Sequence, residues 1–259
     1  MKRLISAIFL LLFLTPGQAQ FIEEDERVGI FEKLDTLIPP GAMFYTEEGE
    51  LVSLVSLIDK PTVIVPVYYT CPGICSPLLD GVADVITKMD MELGKDYQVI
   101  TVSFSPEETP ALARDKKVNY VQQVKKEIDE SAWMWLTGDS TNIYMLTNSI
   151  GYHFIRQGND FIHAAAIIAV SPESKVTRYL YGTYFLPFDL KMAMVEASAG
   201  RSGPAINKLL NYCFSYDPAG KTYVFNITKV TATLILFIVG LFFIYLILTR
   251  RKRIARRNK

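Results

Sequence analysis

The alternation of apolar and polar positions divides the chain into a long patterned middle and two uncharged ends. In the middle, Thr62–Tyr68 is β-branched and apolar throughout, which predicts a buried strand. Leu78–Leu93 carries apolar residues at 78, 79, 82, 85, 86, 89 and 93, a helical spacing. Gln98–Phe104 predicts a second buried strand. Thr109–Ile128 predicts a charged helix with an apolar stripe at Ala113, Val118, Val121 and Val124. Trp133–Leu136 reads as a short or edge strand, and Asn142–Ile150 as a helix stopped by Gly151. Tyr152–Arg156 and Ala165–Val170 read as strands around Gly158-Asn159-Asp160. Val176–Tyr181 pairs back after the turn Pro172–Lys175. Pro187–Ala199 predicts a helix, with another over Ala205–Leu210. Upstream, residues 21–42 form an extended lead-in, and Met43–Tyr45 and Leu51–Ser53 flank a hairpin turn at Glu47-Glu48-Gly49. Strands that alternate with helices and end in a hairpin and a helix predict an α/β core built on a mixed sheet.

The two ends follow a different logic. Lys2 and Arg3 precede the uncharged run Leu4–Leu14, and Gly17-Gln18-Ala19 closes it. That is the pattern of a cleaved signal peptide over residues 1–19, the alternative being an uncleaved N-terminal anchor. Thr231–Thr249 is uncharged, rich in Leu, Ile and Phe, and without a polar stripe. At about 1.5 Å per residue it nearly matches a hydrocarbon core of about 30 Å, so one C-terminal transmembrane helix is expected. The basic tail, residues 250–259, then stays in the cytoplasm by the positive-inside rule. The working domain, residues 20–230, is expected on the periplasmic, extracytoplasmic side of the cell's inner membrane.

Charge sharpens this picture. Lys+Arg and Asp+Glu both number 27, but nine of the basic residues sit in the two ends, which hold no acidic ones. The domain between them carries 18 basic residues against 27 acidic ones. A net charge of about −9 excludes nucleic acid as a natural partner and suits metal cations, a basic protein surface, or simple solubility.

Three cysteines are too few for a disulfide scaffold. Cys71 and Cys75 lie in Thr70-Cys71-Pro72-Gly73-Ile74-Cys75-Ser76-Pro77, where a buried strand hands over to a helix. If the helix begins near Cys71, both sulfurs fall on one helix face with Cβ atoms about 5–6 Å apart. That spacing serves one metal ion or a disulfide, structural or redox-active. Two thiolates suit Cu(I) or zinc and leave room for a third ligand. The chain offers two histidines. His163 stands at the mouth of a strand and can point at the cysteine turn, or can be an ordinary loop residue. His153 lies in an apolar pattern and reads as a sheet-face residue. Cys213, among aromatics, reads as a buried inert thiol, and a zinc site of three Cys and one His is the remote option.

These features resemble the Sco/SenC family of copper proteins and cytochrome oxidase assembly factors. The resemblance spans roughly residues 28–200 and rests on four places. Val63–Tyr69 with Cys71-Pro72-Gly73-Ile74-Cys75 is similar to the family's strand and C-x-x-x-C turn. Val102–Pro110 resembles the end of its next strand, and Trp133–Gly138 its W-x-x-L-T-G run. His163 falls where the family places its ligand histidine. The chain departs at Ser105, where Asp is frequent, and at Ile162, where an acidic residue is frequent. The resemblance implies a thioredoxin-like fold and one copper ion, Cu(I) or Cu(II), held by Cys71, Cys75 and His163. It implies a metallochaperone, not an established enzyme, that serves the dinuclear copper centre on the copper-bearing subunit of a haem–copper oxidase. An upstream copper donor or thiol reductant would supply it.

The main alternative is a membrane-anchored thiol–disulfide oxidoreductase that works through Cys71 and Cys75 and reduces cysteines of the oxidase or of another copper protein. A spacing of three residues between the cysteines, where redox motifs usually have two, counts against that as the sole role. A peroxidase would want an Arg near the cysteine, and none is evident.

Overall fold

The computed structural model describes residues 28–158 and 160–203, together with 214–217, 222–225, 231, 235, 237–240 and 242. The expected signal peptide 1–19, the helix over 205–210, Cys213 and the tail 250–259 lie outside the described residues. So does most of the expected span 231–249. The apolar side chains described there, Ile235, Phe237, Ile238, Val239 and Phe242, are on helical positions and exposed. Among the described residues, no helix is long and apolar enough to cross a membrane.

The core is a five-stranded sheet. Its central strand is β4 (Thr62–Val67), flanked by β5 (Gln98–Ser103) and β10 (Ala166–Val170). Strand β6 (Trp133–Leu136) closes one edge and β11 (Val176–Tyr181) the other. Every residue of β4, β5 and β10 is buried, which is why these segments read as unbroken apolar runs instead of alternating ones. β4, β5 and β6 are parallel, joined through α1 (Cys75–Lys88) and α2 (Pro110–Val121). β10 runs antiparallel to both β4 and β11. The result is the mixed α/β sheet that the sequence predicts.

Helix α1 buries Leu78, Leu79, Val82, Val85 and Ile86, the stripe identified from spacing. It starts at Cys75 and ends at Lys88, so Met89 and Leu93 are buried beyond it. Helix α2 stops at Val121, short of the expected Ile128, and Val118 is exposed, so the stripe through Val118 and Val124 is not a helix face. Thr109 caps α2 and Pro110 opens it. Helices α3 (Ser140–Ser149) and α4 (Pro187–Ser198) match expectation within a few residues. The hairpin of β2 (Met43–Tyr45) and β3 (Leu51–Ser53) forms as expected and covers the β6 edge, where Tyr45 bridges Thr137. Glu47 in its turn is buried, pairs with Lys117, and accepts from the Trp135 amide at 3.0 Å.

One expected strand is corrected. Tyr152–Arg156 is not continuous but divides in two, and a further strand precedes Ala166–Val170. β7 (Tyr152–His153) pairs with β1 (Gly29–Ile30). β8 (Ile155–Gln157) turns at Gly158 onto β9 (Asp160–Ile162), which leaves β10 free to enter the main sheet. Gly151 takes φ +61°, and a Cβ there would lie 1.9 Å from the Phe31 carbonyl oxygen, so the end of α3 can meet the lead-in only as glycine.

Gly81 marks another close approach. It lies inside α1, and a Cβ would stand 2.0 Å from the Thr183 carbonyl oxygen. Alanine is ordinarily the better helix former. Here Gly81→Ala is expected to destabilise the domain by about 1–3 kcal/mol, as overpacking does. Chemical denaturation checks this, and an unchanged or raised midpoint would contradict the contact.

Candidate metal centre

Antiparallel strands bring the end of one beside the start of the other. β4 and β10 pair from Thr62↔Val170 to Ile64↔Ile168, and past Ile64 the two strands part. Pro66, which has no N–H to donate, sits in β4 beyond the last of those pairs. Into this opening run two connections. From β4 comes Tyr68-Tyr69-Thr70-Cys71, turned by the Cys71 amide donating to the Tyr68 carbonyl at 3.2 Å. From the β8–β9 hairpin comes His163, just ahead of β10.

Cys71, Cys75 and His163 meet there. One ligand atom from each, two Sγ and a ring nitrogen, lie within 4.8 Å of one another. Ligand atoms about 2.0–2.3 Å from one ion, at tetrahedral or trigonal angles, are roughly 3.3–4.0 Å apart. The group therefore closes by no more than about 1–1.5 Å to hold a metal. The expected arrangement of both sulfurs on one helix face is corrected. α1 begins at Cys75, and Cys71 lies in the loop before it, half-buried, while Cys75 is 2% exposed. The loop of Pro72 and Gly73, not a helical turn, brings the sulfurs together.

His163 is held in place by Tyr152, which nothing in the sequence marked. The Tyr152 hydroxyl donates to the Ala164 carbonyl at 2.7 Å and lies 2.9 Å from His163 Nδ1. With that hydroxyl proton already committed, Nδ1 is the donor, to Tyr152 Oη and to Ala164 O at 2.9 Å. Nε2 is left to face Cys75 Sγ at 3.5 Å. Fixing one ring nitrogen by hydrogen bonding frees the other to ligate. Tyr68 and Phe104 stand edge-on to the imidazole, with centroids 5.8 and 5.1 Å away, and Phe161 packs on both. The apolar wall they form would have been visible in the sequence only as scattered aromatics.

The two thiols differ electrostatically. Cys71 is held far below the ordinary thiol range because the Cys75 thiol donates to it. Hydrogen bonds from the Cys75 and Gly73 amides add to this, against the opposing effect of burial. The Gly73 amide reaches Cys71 Sγ at 3.3 Å. Cys75 is pushed up by the same shared proton and by burial. The pair gives up its first proton readily, from Cys71, and its second with difficulty. The helix N-terminus that the sequence pointed to lies at Cys75, so the proton shared between the thiols, not the helix dipole, dominates at Cys71.

His153 stands apart from this group. Its ring is 4.8 Å from Phe31, and it lines a cavity of about 660 Å³ with Phe104, Phe154 and Phe161 that does not include either cysteine or His163. It is the sheet-face residue the sequence predicts, in β7 opposite Gly29.

The asymmetry predicts selective chemistry. With limiting iodoacetamide, Cys71 in the reduced protein reacts and buried Cys75 does not. An ordinary thiol of pKa about 8.5 loses roughly tenfold in rate per pH unit below it. Because its pKa is depressed, Cys71 stays thiolate and keeps most of its rate from pH 8 down to pH 5. Peptide mapping by mass spectrometry reads both, and a steep fall in rate or equal labelling would contradict the shared-proton description.

Comparison with known proteins agrees with this geometry. The SCO1/SenC family model matches residues 43–187, more than half of the chain. No curated protein sequence matches. Among solved structures, a protein from Aquifex aeolicus VF5 is similar at 27% identity and TM-score 0.58, over 64% of this chain and 95% of that one. BsSco is described as a member of the Sco family of cytochrome c oxidase assembly proteins, with a disulfide switch. It is similar at 21% identity and TM-score 0.52, over 65% and 98% of the two chains. A SCO1/SenC family lipoprotein from Bacillus anthracis str. Ames is similar at 18% identity and TM-score 0.52, over 66% and 99%. These likenesses establish the thioredoxin-like Sco fold. With its family model matched across the sheet, the cysteine loop and the histidine, the chain belongs to the SCO1/SenC family.

Proposed function

We propose that this protein is a copper metallochaperone that binds one copper ion through Cys71, Cys75 and His163. The observation that carries the proposal is the convergence of two sulfurs and a free imidazole nitrogen within 4.8 Å at the opening between β4 and β10. Two thiolates hold Cu(I), an imidazole also accommodates Cu(II), and zinc would favour a fourth protein ligand. Three ligands leave a position at which an incoming thiolate or imidazole can add before a resident ligand leaves. Copper then passes on by ligand exchange. The low first ionisation of the pair favours that exchange, since one sulfur needs no deprotonation to engage the metal.

The recipient, on this proposal, is the copper-bearing subunit of a haem–copper oxidase during assembly of its dinuclear copper centre, with an upstream donor or reductant loading the site. The uncharged stretch 231–249 would anchor the domain on the extracytoplasmic face of the membrane, with the basic tail inside. Tethering to the client's membrane raises the effective concentration of the pair.

A second role is favoured by one observation. The half-exposed, low-pKa Cys71 beside a buried Cys75 is the order of an attacking and a resolving thiol. The protein could therefore reduce cysteines of the oxidase or of another copper protein. The two roles share the same sulfurs, so a Cys71–Cys75 disulfide abolishes copper binding.

Competition with a Cu(I) chelator on the full-length protein in detergent separates them. The reduced protein is expected to bind one Cu(I), and to bind none as the disulfide. Cys71→Ala, Cys75→Ala and His163→Ala should each weaken binding by tenfold or more, while Cys213→Ala should leave it unchanged. Retained tight binding in His163→Ala removes the third ligand from the account. No tight copper in the reduced wild type, with a readily reversible disulfide, moves the assignment to the oxidoreductase.

A further inference from the structure

The loop that carries Cys71 is tied to the rest of the fold through one buried carboxylate. Glu108 lies between the end of β5 and the start of α2 and is 8% exposed. Its Oε2 accepts from the Tyr69 amide at 2.7 Å and from Ser103 Oγ at 2.6 Å. Its Oε1 accepts from the Thr70 amide and from Thr70 Oγ1, both at 2.8 Å. Four donors thus converge on a group that only accepts. Two of them are the consecutive amides directly before Cys71, and a third anchors the carboxylate to the neighbouring strand. The backbone of Glu108 is itself fixed, its amide donating to Ser105 O at 3.3 Å, with the α2 cap at Thr109 following. β4 and β5 run parallel, so their ends come out side by side and their loops diverge. Glu108 closes that divergence.

We propose that Glu108 is the positioning residue of the metal centre, acting by fixing the Tyr69–Thr70 backbone so that Cys71 Sγ faces Cys75 and His163. The proposal rests on the copper assignment only for what the site holds, since the positioning itself concerns the chain alone. No ligand role follows for Glu108, because its oxygens are already turned to Tyr69, Thr70 and Ser103. Ordering metal ligands from behind is the usual function of such partners, and their loss typically costs about 10–100-fold in metal affinity.

Glu108→Gln tests this at constant shape. It replaces one acceptor oxygen with an NH₂ that must face a donor. Thr70→Val is the milder variant, removing only the Oγ1 bond. In full-length protein, Glu108→Gln should speed hydrogen exchange of the Tyr69 and Thr70 amides at least tenfold and leave the Val99–Val102 amides of β5 unchanged. Its Cu(I) affinity should fall about 10–100-fold. Its Cys71–Cys75 dithiol–disulfide equilibrium should move tenfold or more, about 30 mV for a two-electron couple. Thr70→Val should shift the same quantities less and in the same direction. A folded Glu108→Gln protein with wild-type affinity and potential overturns the proposal. So does a loss of melting temperature in both variants with affinity and potential unmoved, since that is a purely structural brace. If Glu108→Gln does not fold, Thr70→Val decides alone, and no change in it overturns the proposal. If wild-type protein binds no Cu(I), the copper assignment fails, and the amide exchange and the dithiol–disulfide equilibrium still decide the role of Glu108.

Discussion

The antiparallel pairing of β4 with β10 is the constraint from which the site follows. It sets the C-terminal end of one buried strand against the N-terminal end of the other, and the ladder stops after Ile64↔Ile168. A cysteine loop leaving the first strand and a histidine entering the second must then share the same opening. Had β10 paired with the segment before Gly158, His163 would have been held at the base of a surface hairpin. The short β8–β9 excursion takes up that chain instead. The core supplies the rigidity. β4, β5 and β10 are buried along their whole length on both faces, so a one-residue slip in register would turn every side chain against the wrong packing partners and drag the site with it.

On that frame the site is built to hold reactive groups in unequal states. Cys71 is half-exposed and ionises easily, whereas Cys75 is buried and does not. Imidazole orientation is set by Tyr152, and an aromatic wall of Tyr68, Phe104 and Phe161 lines one side. One sulfur ready to engage and one held in reserve would suit the proposed role, in which the site takes up an ion and gives it away. A structural metal site would bury and saturate all its ligands. The proposed thiol redox role would draw on the same two sulfurs, so it and copper binding would compete for them.

Much of this was legible in the sequence, for identifiable reasons. Buried strands announce themselves as apolar runs, and the expected Thr62–Tyr68, Gln98–Phe104 and Ala165–Val170 each exceed the observed strand by one residue. The Cys71, Cys75 and His163 grouping was legible because a soft donor pair at a strand end calls for a third ligand, and the Sco/SenC resemblance singled out His163, which the residues alone left open. What escaped was set by tertiary contacts. Helix α1 starts at Cys75 because the Cys71 amide is already turned back to Tyr68, which no propensity encodes. Helix α2 ends early because Val124 and Ile128 reach the core from a loop. Tyr152 and Glu108 act through hydrogen bonds to residues far along the chain, so their neighbours in sequence give no sign of their roles.

The central claim is that Cys71, Cys75 and His163 together hold a single copper ion. X-ray absorption at the copper edge of the Cu(I)-loaded, full-length protein measures it most directly. The account predicts two sulfur scatterers and one imidazole nitrogen, with the imidazole signal lost in His163→Ala. A shell of sulfur alone, unchanged in that variant, would contradict it.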